Sequence, residues 1–194
     1  INNQGIVLEG DAFKIDVLLQ YRDKTLLPEQ RQYPLFKAKK DGDEYVIVPM
    51  VGSGLWGPIW GFVALENDYN TIYGAVFNHE KETPGLGAEI NTDVFEKPFK
   101  GKQILNANGD FVSIKVKKGA ADKGNLHEVD GITGGTITSD GVSDMLDATL
   151  RIYSDYFYSI REDSLISDSL IKESKNVNNN IATRNTNNNN IDIK

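Results

Sequence analysis

Residues 130–146 read DGITGGTITSDGVSDML, a glycine- and threonine-rich loop that passes directly into a helical pattern. A loop of this kind can hold an anion. The first amides of a helix lack internal partners, and the helix dipole favours negative charge at that end. Gly134 and Gly135 allow the backbone to approach a ligand closely and to take positive φ. Thr133, Thr136, Thr138 and Ser139 supply hydroxyls. The loop holds no lysine, so the phosphate-binding pattern ending GK[ST] is absent. The plainer alternative is a tight turn followed by a capped helix.

Two further segments could face a ligand. In ETPGLG (82–87), Pro84 stiffens the loop while Gly85 and Gly87 strip it of side chains. Its backbone amides could lie against a flat ring, or the segment is an ordinary turn. In SGLWGPIW (53–60), Trp56 and Trp60 could stack on an aromatic cofactor, although large aromatics more often belong to the core. His79 and His127 are the two histidines. Neither has a partner at metal-ligand spacing, so no zinc site is expected. His127 lies near the glycine loop, where it could pass a proton, or it is a surface residue. No Ser-His-Asp arrangement can be assembled.

These loops need a frame. FKIDVLLQ (13–20), YPLFKAKK (33–40) and EYVIVPM (44–50) read as strands, with DGDE (41–44) a turn. The segment 51–66 starts as a glycine-rich loop and ends as a strand. After the turn NDYN (67–70) comes another strand, TIYGAVFNHE (71–80), so the spacing predicts antiparallel hairpins. NTDVFEKPFKGK (91–102) fits one or two helical turns, 108–119 a further strand, and 120–130 a polar connection. Val142, Met145, Leu146, Thr149, Ile152, Tyr153, Tyr156, Phe157 and Ile160 form one apolar helical stripe. Ser139 or Asp140 is the expected N-cap. The fold class is α+β: a mostly antiparallel twisted sheet with flanking helices and one long amphipathic helix after the glycine/threonine loop. From 163 to 194 a short helix and an asparagine-rich, disordered tail are expected.

The 194 residues carry 21 basic and 28 acidic side chains, a formal charge of −7. That balance, without a clustered basic stripe, argues against a nucleic-acid partner. The absence of cysteine removes disulfides, thiolate metal sites and a cysteine nucleophile. No apolar run approaches a membrane span. Residue 1 is Ile, which suggests a fragment or processed chain.

In combination the segments resemble a known family. DGITGGT followed by ITS is similar to the flavinylation motif of FMN-binding domains. GSGLWGPIWGFVALE, HEKETPGLGAEI and FKGK resemble, in the same order, segments of the C-subunit family of the sodium-translocating NADH:quinone oxidoreductase. The match covers about residues 45–150. The resemblance implies FMN joined by a phosphoester to Thr136, with Thr133 as the motif's first hydroxyl and Gly134 its glycine. Gly135 stands where the family usually has Ala. The resemblance also implies that Asp130, Gly134, Gly135 and Thr138 shape the loop for a flavin transferase. Thr83, Gly85, Leu86 and Gly87 would face the isoalloxazine ring, with Trp56 packing on it.

The implied function is electron transfer between neighbouring subunits of a membrane complex, without stand-alone catalysis. The domain would span 1–162 and lie on the periplasmic side of a bacterial inner membrane, anchored by an N-terminal helix absent from this sequence. Two other readings stand beside this one. One is the G-subunit family of the related Rnf electron-transport complex, with the same covalent FMN. The other is a non-redox extracytoplasmic binding domain.

Overall fold

The computed structural model describes residues 1–187, with side chains to residue 161. The chain forms two compact units, Ile1–Tyr156 and Phe157–Lys194. The first contains a four-stranded antiparallel meander: β1 Phe36–Lys40, β2 Asp43–Ser53, β3 Pro58–Leu65 and β4 Ile72–His79. β2 and β3 pair in one register from Val46–Leu65 to Ser53–Pro58. Strand alternation sends Ile59, Val63 and Leu65 inward to full burial, while Phe62 between them stays exposed. Val48 and Met50 of β2 and Ile72 and Phe77 of β4 complete the inner face. β4 is an edge strand, and the carboxylate of Glu96 accepts the Phe77 amide at 2.8 Å, so this point of the edge is satisfied by a side chain.

Glu96 ends α2, Asp93–Glu96, which runs into a 3-10 turn at Lys97–Phe99. The helical turns expected over 91–102 are therefore present. Their aromatic residues bury the sheet's open end. Phe95 and Phe99 sit 5.7 and 5.0 Å, centroid to centroid, from Phe77.

The long helix, α3 Thr136–Asn187, covers the inner face through Tyr153. Val142, Met145, Leu146, Thr149 and Tyr153 of the predicted stripe are buried. Leu150, fully buried, belongs to it as well, whereas Ile152 is half-exposed. The approach to β2 is close: a Cβ on Gly52 would stand 2.8 Å from that of Met145, and one on Gly141 would overlap the Ser53 carbonyl. α3 starts before the expected N-cap. The Gly135 carbonyl accepts the Ser139 amide at 2.9 Å, so Ser139 and Asp140 lie inside the first turns. The Ser139 hydroxyl instead accepts the Ile132 amide, which folds the preceding loop back on the helix. Backbone helix extends to Asn187, past the short segment expected after 163. The rest of the tail, 188–194, lies outside the described residues.

Two strand assignments are corrected. Residues 13–20 form a 3-10 turn and the helix α1, Val17–Arg22. Asp16 caps α1, its carboxylate accepting the Leu19 amide at 2.9 Å, a signal that outweighs the apolar content of the segment. Within 108–119 only β5, Lys115–Lys117, is a strand. Ser113, at φ 61°, interrupts the extended run. β5 pairs in parallel with β6, Glu128–Asp130, inside the segment expected as a polar connection.

Candidate functional site

The two glycine loops and the tryptophan loop meet at one place. Leu55, Trp56, Glu82, Thr83, Leu86, Gly87 and residues 134–138 line a cleft of about 360 Å³. Its rim is apolar and uncovered: Trp56 is 61 % exposed, Ile137 57 % and Leu86 41 %. Apolar side chains left open around a concave polar centre are the usual mark of a binding groove.

Each wall has a local cause. Thr83-Pro84-Gly85-Leu86 is a turn closed by the Leu86 amide on the Thr83 carbonyl at 3.1 Å. Proline second and glycine third, with Gly85 at φ 75°, is the type II pattern. The turn presents Leu86 to the loop opposite, where a Cβ on Gly134 would stand 2.6 Å from Leu86 Cδ2. Gly87 lies deeper. A Cβ there would overlap both Glu82 Oε2 and Thr138 Oγ1, so only glycine fits.

The glycine/threonine loop hangs from the β5–β6 pair by the Gly131 amide, which donates to the Lys117 carbonyl at 2.8 Å. It closes on itself through the Gly135 amide and the Ile132 carbonyl, 2.9 Å apart, and then enters α3. Thr136 is the first helical residue and is half-buried in the cleft wall. The amides of the helix's first turn point out of the helix end at this level, where helical geometry offers them no internal acceptor.

Of the residues singled out in the sequence, the fold brings together Trp56, Thr83, Leu86, Gly87, Gly134, Gly135, Thr136 and Thr138. Three others stand apart from this lining. Thr133 is exposed. Gly85 is exposed and its amide donates to the Glu89 carboxylate at 2.9 Å, so that amide is used within the turn. The amides of Leu86 and Ala88 are likewise spent on the Thr83 carbonyl, so this loop offers the cleft a side chain and little free backbone. Asp130, also exposed, accepts the Ala121 amide at 2.7 Å and steadies the connection beside the loop.

Trp60 lies in β3 beside the N-terminal segment 12–18, away from the cleft. His127 is bound to the Gln103 carbonyl at 2.6 Å through Nδ1. His79 accepts the Glu82 amide through Nδ1 at 3.2 Å. Leu55, Ile137 and the buried Glu82 are cleft residues that sequence reasoning missed. The only sequence signal for Glu82 is its place directly before TPGLG.

The planar apolar walls, the hydroxyl at the helix start and the outward-facing amides suit a group with a flat ring and a phosphate. Among the described residues there is no cluster of His, Asp and Glu fit for a metal ion, and no helix long and apolar enough to cross a membrane.

Residues 54–151 match the family model of the FMN-binding domain. The C subunit of the Na(+)-translocating NADH-quinone reductase of Vibrio anguillarum is 44 % identical over 128 residues, 65 % of this chain and 50 % of that protein. The protein of the same name from Haemophilus ducreyi is 47 % identical over 98 residues, 50 % of this chain and 37 % of that protein. The chain thus spans about half the length of the curated relatives it matches or less. The crystal structure of the equivalent C subunit from Parabacteroides distasonis superposes with a TM-score of 0.71 at 45 % identity, covering 81 % of this chain and 75 % of that one. That of Shewanella oneidensis NqrC gives 0.68 at 28 % identity, with 82 % of each chain covered. With the family model matched across the whole cleft, from Gly54 to Arg151, this chain belongs to the FMN-binding domain family.

Proposed function

We propose that the domain carries FMN as a phosphoester on Thr136 and acts as the electron-carrying C subunit of a sodium-translocating NADH:quinone oxidoreductase. One observation carries this reading. The Thr136 residue opens α3 and lines the same cleft as Trp56, Leu86 and Gly87. The names of its relatives support the complex, and the cleft supports the cofactor.

Within the site each residue has a distinct part. Thr136 offers the oxygen for the ester. The first turn of α3 and the bare backbone at Gly134 and Gly135 receive the phosphate. A phosphate diester keeps one ionisable oxygen, so helix amides and dipole stabilise it without a lysine. Trp56, Leu55, Leu86 and Ile137 cover the faces of the ring and exclude water. Bound FMN supplies the electron transfer; the protein supplies position and electrostatics. A covalent link also prevents loss of the cofactor on the periplasmic side, where this reading places the domain beneath a membrane anchor. Partner subunits then meet the open rim, and a flavin transferase matures the loop with Asp130 and Gly135 in its recognition motif.

The test is intact mass after coexpression with a flavin transferase. The reading expects a gain of one FMN minus water, lost in Thr136→Val. An unchanged mass in the parent protein contradicts it.

A further inference from the structure

Glu82 is 5 % exposed, yet it is the residue on which the cleft's three walls converge. Its Oε2 accepts the Thr138 hydroxyl at 2.5 Å, from the first turn of α3. Its Oε1 accepts the Trp56 amide at 2.8 Å, from the loop between β2 and β3. Its own amide donates to His79 Nδ1 at 3.2 Å, at the end of β4. Gly54 and Gly87 press against the same two oxygens. A Cβ on Gly54 would stand 2.5 Å from Oε1, and one on Gly87 would overlap Oε2. Two glycines thus make room for one carboxyl group. A buried carboxyl group is costly unless both oxygens are bonded. An ordinary turn would not need one here.

We propose that Glu82 is a positioning residue for the cofactor. It sets the separation between Trp56 and the start of α3, so that a ring tethered at Thr136 is held in a single orientation. This rests on the flavin reading above. Chemistry separates it from a merely structural role. Each oxygen acts as an acceptor, for one amide and one hydroxyl. A carboxamide can keep both contacts, its oxygen taking the Trp56 amide and its NH₂ donating to a rotated Thr138 hydroxyl. Alanine keeps neither, and Thr138→Val removes the helix link alone.

Two measurements on the whole chain test the proposal. The first is hydrogen exchange at the Trp56 amide in flavin-free protein. Glu82→Ala should accelerate it on the order of tenfold, the factor lost with one buried hydrogen bond. Val63 in β3 should keep its rate, and Glu82→Gln should restore that of Trp56. The second is the visible circular dichroism of the loaded protein, normalised to the flavin content from intact mass. The signal should fall by half or more in Glu82→Ala, fall in part in Thr138→Val, and return in Glu82→Gln.

If Glu82→Ala fails to load where Glu82→Gln loads, the same loss of positioning has acted one step earlier, which supports the proposal. If Glu82→Ala does not fold, Thr138→Val decides, and an unchanged flavin signal there overturns the proposal. Unchanged Trp56 exchange, or an unchanged flavin signal in loaded Glu82→Ala, also overturns it. No flavin mass on the parent protein is a different failure and removes the flavin reading itself.

Discussion

Thr136 and Thr138 stand two residues apart at the head of one helix, and their surroundings set them different tasks. Thr138 is 1 % exposed and its hydroxyl is donated to Glu82. To form an ester there, that oxygen would have to give up a buried hydrogen bond and move to the surface. Thr136 is half-buried in the cleft wall, so under the proposed reading it is the hydroxyl that a transferase would modify. Thr133 belongs to the same sequence motif but is exposed outside the lining. Thr133→Val should therefore leave flavin loading at the parent level, as read by the visible flavin absorbance of purified protein. A loss beyond about half would place Thr133, like Asp130, in the stretch that a transferase must recognise. A threonine hydroxyl is also a poor nucleophile without activation. Host cells lacking a flavin transferase should yield colourless protein, and yellow protein whose colour survives acid precipitation from such cells would contradict this.

The loops depend on close approach between elements. At Gly87 a methyl group would collide with Glu82 and Thr138 at once, whereas at Gly74, within β4, nothing among the described residues stands within 4 Å. Gly87→Ala should lower stability by about 1–3 kcal/mol through overpacking. Gly74→Ala should be within about 1 kcal/mol of the parent. Urea unfolding of the two variants side by side checks the contrast, and equal midpoints would refute it.

The same element scale shows what can be read from the sequence. β2, β3 and β4 are legible because alternation and turn residues are local signals. α1 is not, because Phe13, Ile15 and Val17 resemble a strand by type, while the deciding contact is the Asp16 cap. β6 is hidden because it is three residues long and exists only through its distant parallel partner. The start of α3 falls earlier than its hydroxyls suggest because they are used elsewhere, Thr138 on Glu82 and Ser139 on Ile132. Two walls of the site are legible in their glycines. Glu82 is not, because its role arises only when three distant segments converge.

At the scale of the whole domain, one contact ties the N-terminal third to α3. The Tyr153 hydroxyl donates to the Pro34 carbonyl at 2.6 Å, 119 residues away in sequence. Burial pushes the phenol's pKa well above its ordinary range, and Tyr33, edge-on at 6.3 Å, acts in the same direction. The sign follows from the folded state holding the proton more tightly. Stability from this group is complete below the unfolded pKa of about 10 and falls as pH rises past it, by up to about 1.4 kcal/mol per pH unit. Tyr153→Phe should cost about 1–2 kcal/mol at neutral pH by leaving the Pro34 carbonyl unpaired, and should flatten the alkaline decline. Denaturant midpoints from neutral to alkaline pH read both effects; an equally steep decline in the variant would contradict this assignment.

The domain holds one hydroxyl at a helix start beside an apolar cleft, and the proposed reading makes that hydroxyl the attachment point. The most direct test of that claim is peptide mass mapping of protein coexpressed with a flavin transferase. A single flavin-bearing peptide containing Thr136, with the modification localised to that residue by fragmentation, is the expected result. A flavin on any other residue, or an unmodified Thr136 peptide in yellow protein, would contradict the account.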